Sequence, residues 1–172
     1  MTITELAPLD FWKGVGEKVY NLTGLTGVTF NAENKAIHPP AAFANKICAE
    51  IKANPSTSAS ICGMAHQSLS AMAKKKGKPI VEECDLNMIK IVVPVFKNGE
   101  FLGTTGGCGL LPEDEEEGVN TFLASKGLEK EEAEIESLAE GIGILSQDKI
   151  DAVIKLILLK LKEAGADEIK QD

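Results

Sequence analysis

Four cysteines stand at positions 48, 62, 84 and 108, and a histidine follows the second of them by four residues. Four thiolates form a soft tetrahedral donor set that suits zinc or an iron–sulfur cluster. The separations of 14, 22 and 24 residues match no compact Cys-x-x-Cys pair. A shared site for Cys48, Cys62, Cys84 and Cys108 therefore has to be assembled by the fold. Cys62 and His66 are one helical turn apart, which makes His66 a fifth candidate ligand. His38 lies in a loop before two prolines and carries no signal. Cys108 belongs to GTTGGCGLL, where glycines leave space beside a sulfur or admit a second backbone. The run is not a phosphate loop, because no Gly-Lys-Ser/Thr follows and the next charges are acidic.

These residues need elements to hold them. Phe11, Val15, Val19 and Leu22 recur at helical spacing, predicting a helix over 10–22 with Asp10 as N-cap. A short strand is expected over 28–30, followed by a turn over 31–35. A second helix over 41–53 carries Cys48, and a third, from about 58 to 76, carries Cys62 and His66. KPIVEECDLN and MIKIVVPVFKNGEFLGTTGGCG read as three strands, the last two joined by Asn98-Gly99, a type I′ hairpin signature. Beyond Pro112 the pattern is helical, with an acidic helix start at Glu113–Glu117 and helices near 129–145 and 147–164. The last carries the apolar stripe Ile150, Val153, Ile154, Ile157, Leu158 and Leu161, fit to pack on the sheet or on a second copy.

A two-residue turn at Asn98-Gly99 sets a register in which Val95 faces Leu102, Ile91 faces Gly106 and Ile89 faces Cys108. On that register Cys108 shares the apolar face with Ile89, Ile91, Val93 and Leu102, and Gly106 leaves space beside its sulfur. A bulge would reverse the parity. The face of Cys84 depends on the length of the turn after it. With helices on one face of the sheet, two helical and two strand cysteines could converge.

The balance of 18 basic and 26 acidic residues, net −8, argues against nucleic acid and anionic membrane as partners. Lys74, Lys75 and Lys76 close a helix and complement its dipole. The N-terminus has neither a basic nor an apolar leader region, so a cytoplasmic setting is expected, where thiols or metal ligands are commoner than disulfides.

The series FWKGVGEKVYNLTGL, VTFNAENKAI, NKICAEIKANP, SICGMAHQSLSAMAKKKGKPIVEEC and IVVPVFKNGEFLGTTGGCGLL resembles the PocR-type sensory domain over about residues 10–111. Its most specific part is the spaced cysteines ahead of the hairpin Pro94, Gly99, Leu102, Gly103. Cys48, Cys62 and Cys84 match positions where that family commonly has cysteine. The chain departs from the pattern at Gly107-Cys108, where Gly-Gln is usual, and in the short CDLNM after Cys84. The resemblance implies an α+β, PAS-like antiparallel sheet that senses small molecules, hydrocarbon derivatives among them. Residues 1–111 would be the sensory domain and 112–172 a helical extension for packing or dimerisation.

Three functions follow as expectations. The first is a non-enzymatic sensor holding an iron–sulfur cluster or zinc, less readily haem, through the four cysteines and His66. Its apolar wall would be Ile89, Ile91, Val93, Leu102 and Gly106, and it would signal through a protein partner or its own homodimer, since no output domain is recognised. The second is a metal-free pocket for an apolar small molecule. The third is an enzyme with Cys62 or Cys108 as nucleophile, for which neither an oxyanion hole nor an orienting group can be named.

Overall fold

Helix α1 (Ile3–Leu6) opens on a capping box between Thr2 and Glu5. In α2 (Leu9–Thr23) the cap position is Pro8, already followed by helical backbone, so Asp10 lies in the first turn and is not the N-cap. The computed structural model describes residues 1–171. Strand β1 (Thr26–Asn31) leads into a turn in which the Asn31 carboxamide oxygen accepts from the backbone N–H groups of Glu33 and Lys35. Helix α3 (Lys46–Ala53) is shorter than 41–53 because the Asn45 side chain caps it, accepting from the Cys48 N–H at 2.8 Å. The single turn α4 (Pro55–Thr57) runs into a π-helical segment, Ser58–Gly63, and then α5 (Met64–Lys76), which ends on Gly77 at φ +62°.

The sheet follows: β2 (Ile80–Glu83), β3 (Ile89–Lys97) and β4 (Glu100–Pro112). The antiparallel order is β1-β4-β3-β2. The remainder is α6 (Thr121–Leu128), α7 (Glu132–Ala139), β5 (Ile144–Leu145) and α8 (Gln147–Glu163). The helix expected over 129–145 is thus one shorter helix, α7, and a strand, β5, which pairs in parallel with the end of β4. Glu113–Glu117 starts no helix; instead the Glu113 carboxylate accepts from the Gln147 N–H at 3.0 Å, beside the positive end of α8.

Asn98 and Gly99 both have positive φ, 52° and 78°, as a type I′ turn requires. The turn is clamped from the C-terminal tail. The Asp167 carboxylate accepts from the Asn98 and Gly99 N–H groups at 3.0 and 2.8 Å, which holds its pKa below the usual range.

The register beyond the turn differs from the simple ladder. Phe96 pairs with Phe101, but Val95 pairs with Gly103, so Leu102 is an extra residue in a bulge. From there Val92 faces Gly106 and Lys90 faces Cys108; a second irregularity at Gly109 brings Ile89 opposite Leu110. One bulged residue reverses the parity, so Cys108 shares its face with Lys90 and Val92. Ile89, Ile91, Val93 and Leu102 lie on the opposite face, buried with Trp12, Val15 and Val19 of α2 and with Val153, Ile157 and Leu161 of α8.

Both faces of this α+β, PAS-like sheet are therefore covered. α2 and α8 take one side, while the cysteine-bearing helices, expected to share a face, do so on the other, where Val92 and Ile80 pack on Leu69 and Ala73 of α5. Trp12 is fully buried and donates from Nε1 to the carbonyls of Ile3 and Ala7, both at 3.0 Å, tying α1 to α2. α2 lies so close to β1 that a Cβ on Gly27 would collide with the Gly16 carbonyl.

Candidate functional site

Between the second face and its helices lies a cavity of about 380 Å³, within the range of small-ligand sites. Its floor is Thr26, Val28 and Phe30 of β1, Lys90 of β3 and Cys108 of β4. Its roof is Cys48, Ile51 and Lys52 of α3 with Ile61 and Cys62 of the π segment. One end is closed by Cys84, Leu86 and Met88, the other by the loop 36–40. All four cysteines reach this one space, and all four are free thiols.

Each thiol is positioned by a local device. Asn45 caps α3 through its oxygen, while its Nδ2 lies 3.3 Å from Cys48 Sγ, 3.2 Å from Met88 Sδ and 2.7 Å from the Gly109 carbonyl, to which it donates. One side chain thus ties the Cys48 helix to the irregular end of β4. Cys84 begins the tight turn to Met88: its N–H donates to the Met88 carbonyl at 2.8 Å, and Asn87 takes φ +67°. Cys108 is turned toward the cavity by the Leu102 bulge.

Burial pushes the Cys48 thiol far above its ordinary range; a charge on Cys108 would raise it further, and the Asn45 amide offsets part of this. Burial also raises Cys62, against the Lys52 ammonium, and Cys84, against the N–H groups of Leu86 and Met88. Cys48, Cys62 and Cys84 are therefore held as neutral thiols at the cavity wall. Cys108 adds to the upward push on each of the other three, so the four sulfurs feel one another's charge. Among the described residues, no three histidine, cysteine, aspartate or glutamate side chains are grouped so as to hold a metal ion.

His66 does not join the cavity. The π segment has i→i+5 bonding, so the four-residue spacing from Cys62 no longer places both residues on one face. His66 turns to the sheet, where it stacks on Phe30 with centroids 3.7 Å apart and Nε2 lies 3.4 Å from the Thr104 hydroxyl. Its pKa is pushed down to about 3, by burial first and then by Lys90 and Lys52. Gly106 also lines that small chamber beside His66 and lies outside the large cavity. Nor do Ile89, Ile91, Val93 and Leu102 form the cavity wall, because the bulge puts them in the opposite core.

The cavity wall includes residues the sequence reading passed over. His38 is 5% exposed and lines the cavity; its Nδ1 donates to the Pro39 carbonyl at 2.9 Å, and its Nε2 has no partner among the described residues. Asn45 carried a legible signal, a capping residue three positions before Cys48. So did Lys90, a charge within the apolar run MIKIVVPV.

The fold is α+β and PAS-like, with a ligand-sized cavity between one sheet face and its helices. The model of the family described as "Sensory domain found in PocR" matches residues 5–162, so the chain belongs to that family. The matched span runs through α8, whose apolar stripe is part of the core. No curated protein and no solved structure gives a significant match. Among the described residues, no helix is long and apolar enough to cross a membrane.

Proposed function

We propose that this PocR-family domain senses through the four-cysteine cavity, and that Cys48, Cys62, Cys84 and Cys108 hold a soft polyatomic cofactor there, an iron–sulfur cluster. The observation that carries this reading is the arrival of four thiols from α3, the π segment, the β2–β3 turn and β4 at one cavity. The donor set is all sulfur, the preference of a cluster. When bound, such a cluster supplies electron exchange. The chain's own residues supply the rest: Asn45 and the Cys84 turn orient sulfurs, and Ile51, Ile61, Leu86 and Met88 exclude water. Occupancy would reach a partner or a second copy through the C-terminal helices.

Anaerobic purification followed by visible spectroscopy and iron and sulfide analysis tests this directly. A brown protein with iron and sulfide, lost on Cys108→Ala, is expected. A colourless protein lacking both would overturn the cluster.

A metal-free cavity for an apolar small molecule is the second reading, favoured by the burial that keeps the thiols neutral. The pH dependence of stability separates the two. With empty thiols the folded pKa values lie above the unfolded ones, so their stabilisation is full below the ordinary thiol range of about 8.5 and is lost as pH rises beyond it. Thiolates bound to a cluster are already deprotonated, so the loaded protein loses stability in acid instead. Thermal melts from pH 7 to pH 10, an order-of-magnitude window around that range, are expected to be flat for the loaded protein and to fall once the cluster is removed.

A further inference from the structure

Lys90 is 7% exposed, yet among the described residues its ammonium makes no hydrogen bond and no ion pair. Buried lysines are rare unless paired, because desolvation penalises an uncompensated charge. Its cross-strand neighbour on β2, Glu82, is exposed and forms no ion pair with it. The Phe30 ring, 5.7 Å from Nζ, offers only its π face. The side chain ends in the four-cysteine cavity, where Lys52 adds a second ammonium from the roof. Among the described residues, no aspartate or glutamate lines that space. Apart from Thr26 and His38, the rest of the lining is apolar or thiol. A positive charge without a counter-charge thus lines a ligand-sized volume.

We propose that the cavity takes a small organic acid, its carboxylate paired with Lys90 and its hydrocarbon part against Ile51, Ile61, Leu86 and Met88. Two features of the surroundings agree with this. The field of Lys90 and Lys52 adds to the lowering of His66 and offsets part of the burial-driven rise of the Cys62 thiol, so it reaches the cavity and the chamber beside it. The apolar lining matches an alkyl tail. The inference rests on the cavity being the sensory site, and not on the cluster. Cluster-bound thiolates would present negative charge to the same ammonium, so the two sources have to be tested apart.

The test uses the full chain stripped of metal with a chelator under a thiol reductant, titrated calorimetrically with hexanoate and with 1-hexanol. The two probes share a chain length and differ in charge. Hexanoate is expected to bind at least about tenfold more tightly, and Lys90→Met to abolish that preference while hexanol binding persists, which also reports an intact cavity. Lys90→Gln, which keeps a polar end without the charge, is expected to behave as Lys90→Met does. Failure of hexanoate to bind, a hexanol affinity equal to that of hexanoate, or a preference that survives Lys90→Met would each overturn the proposal. Iron and sulfide content bears only on the cluster, so the two readings can fail separately.

Discussion

Gly106→Ala is expected to destabilise the domain by about 3 kcal/mol or more, a drop in Tm of roughly 6–12 °C. A Cβ at this position would run into the Ile91 carbonyl oxygen and lie 2.9 Å from its carbon, and both are backbone atoms of the neighbouring strand. A flexible side chain could swing aside. The Ile91 backbone cannot, because β3 is hydrogen-bonded to β4 on one side and to β2 on the other. Moving β4 the other way strains its ladder with β1, where Gly106 pairs with Val28. Gly14→Ala in α2 is the matched control, since a Cβ there meets nothing within 4 Å. Alanine's helix preference predicts a gain of about 0.5–1 kcal/mol at that site. Chemical denaturation of the two variants beside the wild type checks both signs. An unchanged midpoint for Gly106→Ala would contradict the close approach of the strands.

Acid is expected to weaken the domain through His66, and His66→Phe to remove that part of the loss. Folded, the imidazole takes up its proton only near pH 3, because protonation would place a second charge in a buried chamber facing Lys90. Unfolded, it does so near 6.5. A depressed folded value means the stabilisation is complete above about pH 6.5 and is lost as pH falls toward 3. The difference amounts to roughly 3 kcal/mol between pH 7 and pH 4. Carboxylates contribute to the same limb, so the measurement is the difference between wild type and His66→Phe in denaturant midpoints across that range. Phenylalanine retains a ring to stack on Phe30 and has no proton to take up. Parallel acid limbs for the two proteins would show that His66 does not sense pH.

Local signals in the sequence were legible to the extent that local chemistry controls structure. Asn98-Gly99 specified its turn because few residue pairs tolerate two positive φ values. The span of α2 followed from its apolar period, and the meeting of four cysteines was anticipated from helices lying over a sheet. What failed was phase. The Leu102 bulge is a single extra residue whose place is chosen by the fit of β4 between two neighbours, and nothing in FLGTTGG marks it. It nevertheless exchanged the whole lining, sending Ile91 and Val93 to the far core and Lys90 to the cavity. The π segment did the same to His66. In both cases a one-residue change of count is nearly invisible in pattern and decisive in space, because faces alternate with each residue in a strand and turn with each residue in a helix. The split of 129–145 into α7 and β5 failed differently, since β5 exists only by pairing with a strand distant in sequence.

That surplus residue in the helix also divides labour. Had 58–76 been a single regular helix, Cys62 and His66 would look into the same chamber, and every change in proton concentration would be felt at the sulfurs. With Cys62 in the π segment and His66 in α5, one continuous rod presents sulfur to the large cavity and imidazole to the sheet beneath.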